Sequence, residues 1–194
     1  MLNKIFATGL SFLVLSTSAL AARYDVDPVH SQVHFTIPHL VMFKVRGTFT
    51  DMSGQVEVDT TKQTITAVQG TVKSASIDTR ESKRDEHLRS PDFFDTAQYP
   101  EITFVSKKIT GKGSKITVVG DLTIHGVTKS VELKGSYLGA NKDPWGNERT
   151  GFEATGKINR KDFGLTWNKA LETGGFVVGD EVQIGLEIEA VKQK

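Results

Sequence analysis

Histidine is the residue type here with the widest chemical reach, and the chain has five: His30, His34, His39, His87 and His125. His30 and His34 stand four apart, the spacing at which two imidazoles on one helix share a metal ion. The residues around them argue against a helix. Val33, Phe35 and Ile37 alternate with other side chains, which is the period of a strand. Four residues of strand cover roughly 13 Å, too far for two bonds of ~2 Å to one zinc ion. His87 falls in a short helical pattern and His125 at a turn, so the histidines read as surface or rim groups. Asp85 and Glu86 are the nearest approach to a carboxylate pair, but adjacent helix positions diverge, which makes them a solvated face. Cysteine is absent, which excludes thiol nucleophiles, cysteine-based zinc sites, disulfides and a lipoprotein anchor. No Gly-x-Ser-x-Gly elbow, phosphate loop or His-Glu-x-x-His is present. The residues point away from an enzyme and imply neither a cofactor nor a metal.

The elements that would position these residues are strands. On four of them a glycine takes a place where the alternation calls for a core side chain: Phe43-Val45-Gly47-Phe49, Val118-Gly120-Leu122-Ile124, Val131-Leu133-Gly135-Tyr137 and Phe152-Ala154-Gly156-Ile158. Members of each run share one face of a pleated strand, and the opposite face is mostly polar. Glycine weakens a strand, so these positions need a reason. One reason is the sharp bending that closure into a barrel requires. The other is room for a ligand. Sequence leaves both open, and both imply a curved antiparallel sheet. Phe35, Phe43, Phe49, Phe104, Tyr137 and Phe152 fall on the inward parity.

Ahead of the strands, Met1 to Lys4 is a short basic start, Ile5 to Leu15 is mainly apolar, and Ala19-Leu20-Ala21 is a small-x-small site. This reads as a secretory signal over residues 1–21, cleaved after Ala21, with one domain over residues 22–194 and the periplasm as destination. No later segment has the length of a membrane-spanning helix. With Lys4 removed, the 23 acidic residues are matched one for one by basic ones. Nucleic acid and anionic membrane surfaces are therefore poor main partners. The segment Asp78 to Ser90 breaks the strand pattern. Asp78 with Glu81 resembles a capping box, and Ser90-Pro91-Asp92 looks like a second helical start. A helical excursion over residues 80–95 would bring Phe93 and Phe94 across one end of a barrel. A turn is expected at Met52-Ser53-Gly54, a bulge near Ala67-Val68, and a tight hairpin at His125-Gly126.

Several ordered segments then carry a resemblance. They are His30-Ser31-Gln32-Val33-His34-Phe35, His39, Ser76-Ile77-Asp78-Thr79, Arg84 to Ser90, Asp92-Phe93-Phe94-Asp95 and Tyr99 to Phe104. Gly120 to Thr128 and Ile158 to Gly164 complete the set. Together, over essentially the whole mature chain, they resemble the YceI-like polyisoprenoid-binding family. His125 departs from it, where the family often has Arg. The resemblance implies an all-β fold, a single lipocalin-like antiparallel barrel, holding a long isoprenoid or other lipid in its interior for carriage or storage. It assigns no catalytic residue. The expected walls are Phe35, Ile37, Phe43, Val45, Phe49, Phe104, Leu122, Tyr137, Phe152, Ile158 and Phe163. His39, His87 and Arg160 are the candidates for a polar head at the rim. Trp145 and Trp167 are each either rim or core cap. A scaffold barrel with a filled core and a histidine-dependent metal protein remain as alternatives, and a homodimer is left open.

Overall fold

Alternating apolar residues become strands along nearly the whole chain, and consecutive strands pair with each other. The computed structural model describes residues 21–193, so the expected leader lies outside the described residues apart from Ala21. The strands are β1 (Ala22–Val26), β2 (Gln32–His39), β3 (Phe43–Phe49), β4 (Met52–Asp59), β5 (Thr64–Lys73) and β6 (Ile77–Asp78). After the helix α1 (Ser82–Arg89) come β7 (Glu101–Lys112), β8 (Lys115–Ile124), β9 (Val127–Lys142), β10 (Glu148–Asn159) and β11 (Glu181–Lys192). β1 and β2 act as one strand broken at residues 27–31, because both pair with the same edge of β11. β3 and β4 likewise form one strand, paired with β2 and β1 in turn. The result is an eight-stranded antiparallel barrel of up-and-down order, closed where the first strand meets the last. Closure leaves no free sheet edge in the ring.

Local signals mostly resolve as their chemistry dictates. His125 and Gly126 both have positive φ, 51° and 74°, and make the tight β8–β9 turn. In the β4–β5 ladder Glu57 faces Ala67 but Val58 faces Ile65, so Thr66 is the extra residue of a bulge beside the expected place. Met52-Ser53-Gly54 is strand rather than turn. Gly54 lies opposite Gly70, and a Cβ there would come within 2.6 Å of the Gln69 carbonyl oxygen, so close approach of backbones explains the glycine.

The helix also differs from expectation. It begins at Ser82, capped by Glu81, whose carboxylate accepts from the backbone N–H of Lys83 and of Arg84 (3.3 and 2.6 Å). Asp78 instead accepts from the Arg80 N–H, because Arg80 turns the chain sharply with φ 65°. Asp85 is not solvated. It is buried and accepts from both the N–H and the hydroxyl of Thr79 (2.9 and 2.6 Å). Ser90 caps a tight turn, not a second helix, and Phe93 and Phe94 follow it into the end of the barrel.

One polar cluster secures the break in the first strand. Arg149 of β10 donates to Asp27 (2.7 Å), to Asp143 (2.9 Å) and to Glu189 of β11. Ser31 bridges the same break by donating to the Glu189 carbonyl and accepting from its N–H, both at 3.0 Å. The Asp27 carboxyl is lowered from 3.8 to about 2, first by Arg149 and then by His30. Asp143 is lowered to about 2 by Asn147 first, with burial opposing and Arg149 adding to it. Folded values below the unfolded ones mean that this contribution is complete above about pH 4 and drains away as pH falls through about 2. Arg149→Met should therefore lower Tm at neutral pH and make its acid decline shallower. Tm measured from about pH 6 to pH 2 for both proteins checks this; parallel acid declines would remove the cluster from the account.

Candidate functional site

Two halves of the barrel interior are built differently. At the end reached by Tyr24, Val56, Val58, Ile116, Val118 and Tyr137 the side chains meet and fill it. Tyr24 is fully buried, and its hydroxyl donates to Glu148; burial first, and that carboxylate second, push the phenol above its ordinary range. Leu133 and Phe152 belong to this packed cluster and also line a cavity above it, so they form the cavity floor. The cavity has a volume of about 470 Å³, within the range of small-molecule sites. Its walls are Phe35, Ile37, Val45 and Phe49 on one side and Phe104, Leu122 and Ile158 on the other.

A lid covers the far end. α1 supplies Leu88 and His87, the turn after it Phe93 and Phe94, and the long loop 164–180 supplies Leu165, Trp167, Val177 and Val178. His87 stands edge-on to both Trp167 and Phe93, with ring centroids 4.9 and 5.0 Å apart, while its Nε2 lies 2.8 Å from Asp92. The loop is tied to the β2–β3 hairpin, where the Leu40 N–H donates to Val177 and the Gly179 N–H donates to Pro38, both at 2.9 Å. Asn168 holds Val178 from both sides, donating to its carbonyl and accepting from its N–H (2.7 and 3.1 Å).

Arg160 governs this loop. It is 2% exposed and sits beneath the loop, not at the rim. Its Nε donates to the Gly179 carbonyl (2.9 Å) and its Nη1 to the Leu165 carbonyl, so one guanidinium fastens both ends of the lid. Its Nη2 makes no hydrogen bond and lies 3.5 Å from an Asp180 carboxylate oxygen. Burial lowers its pKa, and Asp180 opposes that. Arg160, His39 and His87 all border the cavity.

Three expected wall residues do not border it. Phe43 has the right parity but stands at the first position of β3, next to the β2–β3 hairpin tip and past Val45, the last residue of that strand face to border the cavity; it is 58% exposed. Tyr137 lies in the packed half and accepts from the Thr150 hydroxyl. Phe163 packs behind Leu122, Ile124 and Leu165, which take the inner surface. Trp167 belongs to the lid, whereas Trp145 is 81% exposed in the β9–β10 loop.

The five histidines go separate ways. His30 pairs with Asp27, His34 lies over Gly185, His39 bridges to Val178, His87 packs on Trp167, and His125 packs on Tyr99. Asp27, His30 and Glu189 do approach one another closely. Arg149 already donates to both of those carboxylates, so their charge is answered by a guanidinium.

The inward glycines are not vacancies. A Cβ on Gly47 would come within 2.5 Å of the Phe35 ring, and one on Gly120 within 2.5 Å of the Phe104 ring. A Cβ on Gly156 would meet Leu133 at 2.5 Å. Each glycine thus lets a large neighbour lie flat across its strand, the arrangement that rescues glycine in curved sheets. A Cβ on Gly120 would also meet the Val105 carbonyl oxygen at 2.5 Å, and one on Gly135 would come within 1.8 Å of the Glu153 carbonyl oxygen, so at these two positions the backbones themselves approach closely.

Residues 24–190 match the YceI-like domain family. Protein YceI of Escherichia coli O157:H7 is 40% identical over 191 residues, covering 96% of this chain and 97% of that one. Among solved structures, BcnA of Burkholderia cenocepacia is similar with a TM-score of 0.71 and 28% identity, covering 85% of this chain and 99% of that one. The YCEI protein of Campylobacter jejuni matches with a TM-score of 0.70 and 33% identity, over 81% and 90%. The chain belongs to the YceI-like family.

Gly47 and Gly135 separate two roles for inward glycine. Gly47→Ala meets only side chains, and the Phe35 ring can give way toward the cavity. It should cost about 1–3 kcal/mol in urea unfolding. Gly135→Ala meets backbone and should cost more than about 3 kcal/mol. Equal losses would show that both glycines serve the bend alone.

Proposed function

We propose that this member of the YceI-like family is a periplasmic carrier or store for a long-chain lipid, with an isoprenoid the foremost candidate. The observation that carries the reading is a cavity of about 470 Å³, walled by phenylalanine and aliphatic side chains, floored by a packed half-barrel and roofed by a lid. Its work is shielding: an apolar tail leaves water for a dry interior. About 15 carbons at ~0.8 kcal/mol per methylene give a gross gain of roughly 12 kcal/mol. Immobilisation and ordering reduce that to an affinity between roughly micromolar and nanomolar. The family resemblance of the whole mature chain supports isoprenoid chemistry. His39 and His87 border the cavity beneath the lid, and the Nη2 of Arg160, which makes no hydrogen bond and is answered only by Asp180 at 3.5 Å, offers a donor to an oxygen of the ligand's polar end. No nucleophile stands beside a base among these groups, which favours binding over catalysis. Among the described residues no helix is long and apolar enough to cross a membrane.

Export follows from the basic start, the apolar run and Ala19-Leu20-Ala21. N-terminal sequencing of protein from a periplasmic extract should begin at Ala22, and intact Met1 in a cytoplasmic pool would overturn the placement.

A tail inside a dry cavity leaves slowly, because its apolar area must return to water before it is free. Organic extraction of freshly purified protein should release a lipid in near-stoichiometric amount. Phe35→Asp or Phe104→Asp should abolish it, since a carboxylate on the wall needs solvation that a tail cannot give. Clean extracts of the unmodified protein from several expression hosts would make the scaffold reading the better one.

A further inference from the structure

The β2–β3 hairpin carries a second feature, which the cavity does not use. Val41, Met42 and Phe43 at its tip are 68%, 79% and 58% exposed, and Phe176 on the adjacent loop is 56% exposed. The two tips touch: a Cβ on Gly175 would lie 3.0 Å from the Val41 side chain. Leu40 and Val41 both have left-handed backbone, with φ 49° and 67°. Asn-Gly takes that conformation freely, whereas a β-branched residue there is an outlier. Sequence thus forgoes favourable turn chemistry to hold bulky apolar side chains out in water. The patch is continuous with the cavity mouth, because His39, Val177 and Val178 beside it line the cavity.

We propose that this lip docks into the headgroup layer of an anionic lipid bilayer, so that a lipid passes between membrane and cavity without crossing water. The proposal rests on the carrier reading and names where the cargo is exchanged. Charge selects the occupant. Lys44, Arg46 and Lys169 flank the lip, all exposed and none in an ion pair among the described residues. Residues 38–49 contain no acid, and Glu172 is the one acid between Leu165 and Gly179. Overall charge balance, which speaks against an anionic surface, therefore conceals a cationic rim. Apolar side chains that enter the interface beside cations are how peripheral proteins hold anionic membranes. A second copy is a poorer occupant, because an isologous contact would bring these cations against their own copies.

The test is co-sedimentation of the mature protein with vesicles of equal parts phosphatidylethanolamine and phosphatidylglycerol, and with phosphatidylcholine alone. Trp167 fluorescence with added geranylgeraniol, without vesicles, reads the cavity separately. The protein should bind the anionic vesicles and be released by salt. V41D/M42D should lower partition roughly tenfold or more, and K169E roughly fivefold, with geranylgeraniol binding unchanged in both. Protein that binds geranylgeraniol but neither vesicle overturns the lip and leaves the carrier reading standing. Vesicle binding that V41D/M42D does not weaken overturns it too. Lip-dependent vesicle binding without geranylgeraniol binding keeps the docking surface and sinks the carrier reading. A dimer in sedimentation velocity that V41D/M42D dissolves, with no vesicle binding, would make the patch a contact between copies and end the proposal.

Discussion

Hydrogen bonding between the two ends of the chain closes the sheet, and the interior exists only because of it. β11 holds β10 along one edge and, along the other, first β2 and then β1. Were that edge unpaired, the sheet would open and the apolar face of every strand would meet water. The first strand follows β11 with a break at residues 27–31, which leaves polar groups beside the barrel wall. Arg149 and Ser31 answer them from β10 and from within the break. Closure and the acid-sensitive cluster are thus one device.

Within the closed wall, glycine–aromatic pairs decide how the space is divided. Phe35 lies across Gly47 and Phe104 across Gly120, so large rings spread along the wall instead of meeting at the axis. In the lower half Tyr24 and its neighbours do meet there, and the barrel is solid. A container of fixed depth results, since Leu133 and Phe152 stop a ligand from passing farther. The filled and hollow alternatives suggested by sequence describe the two ends of one barrel.

What was legible in the sequence was what is local. Strand parity placed Phe35, Phe49, Phe104 and Phe152 on the inner face because alternation along a strand is short-range. The same parity could not say that Phe43 lies beyond the rim, since height in the barrel depends on how far neighbouring strands extend. Asp85 looked solvated because its partner, Thr79, sits across a turn that no helical spacing describes. The lid was least legible. Residues 164–180 have no period, and they are held by Arg160 and Asn168 through bonds to backbone carbonyls that no side-chain pattern announces. Trp167 could be noticed but not assigned.

Pairing the first strand with the last also fixes when the molecule can fold. Gln193 donates to Asp25 across 168 residues of chain. Contacts so distant in sequence make the contact order high and the folding slow, because the loop entropy must be overcome before any closing bond forms. A growing chain has most of its meander before it has the strand that seals it. Until β11 is available the sheet has two open edges, and the chain remains extensible. The interior therefore comes into being only with the last strand made, and a chain short of β11 has neither a sealed edge nor an enclosed cavity.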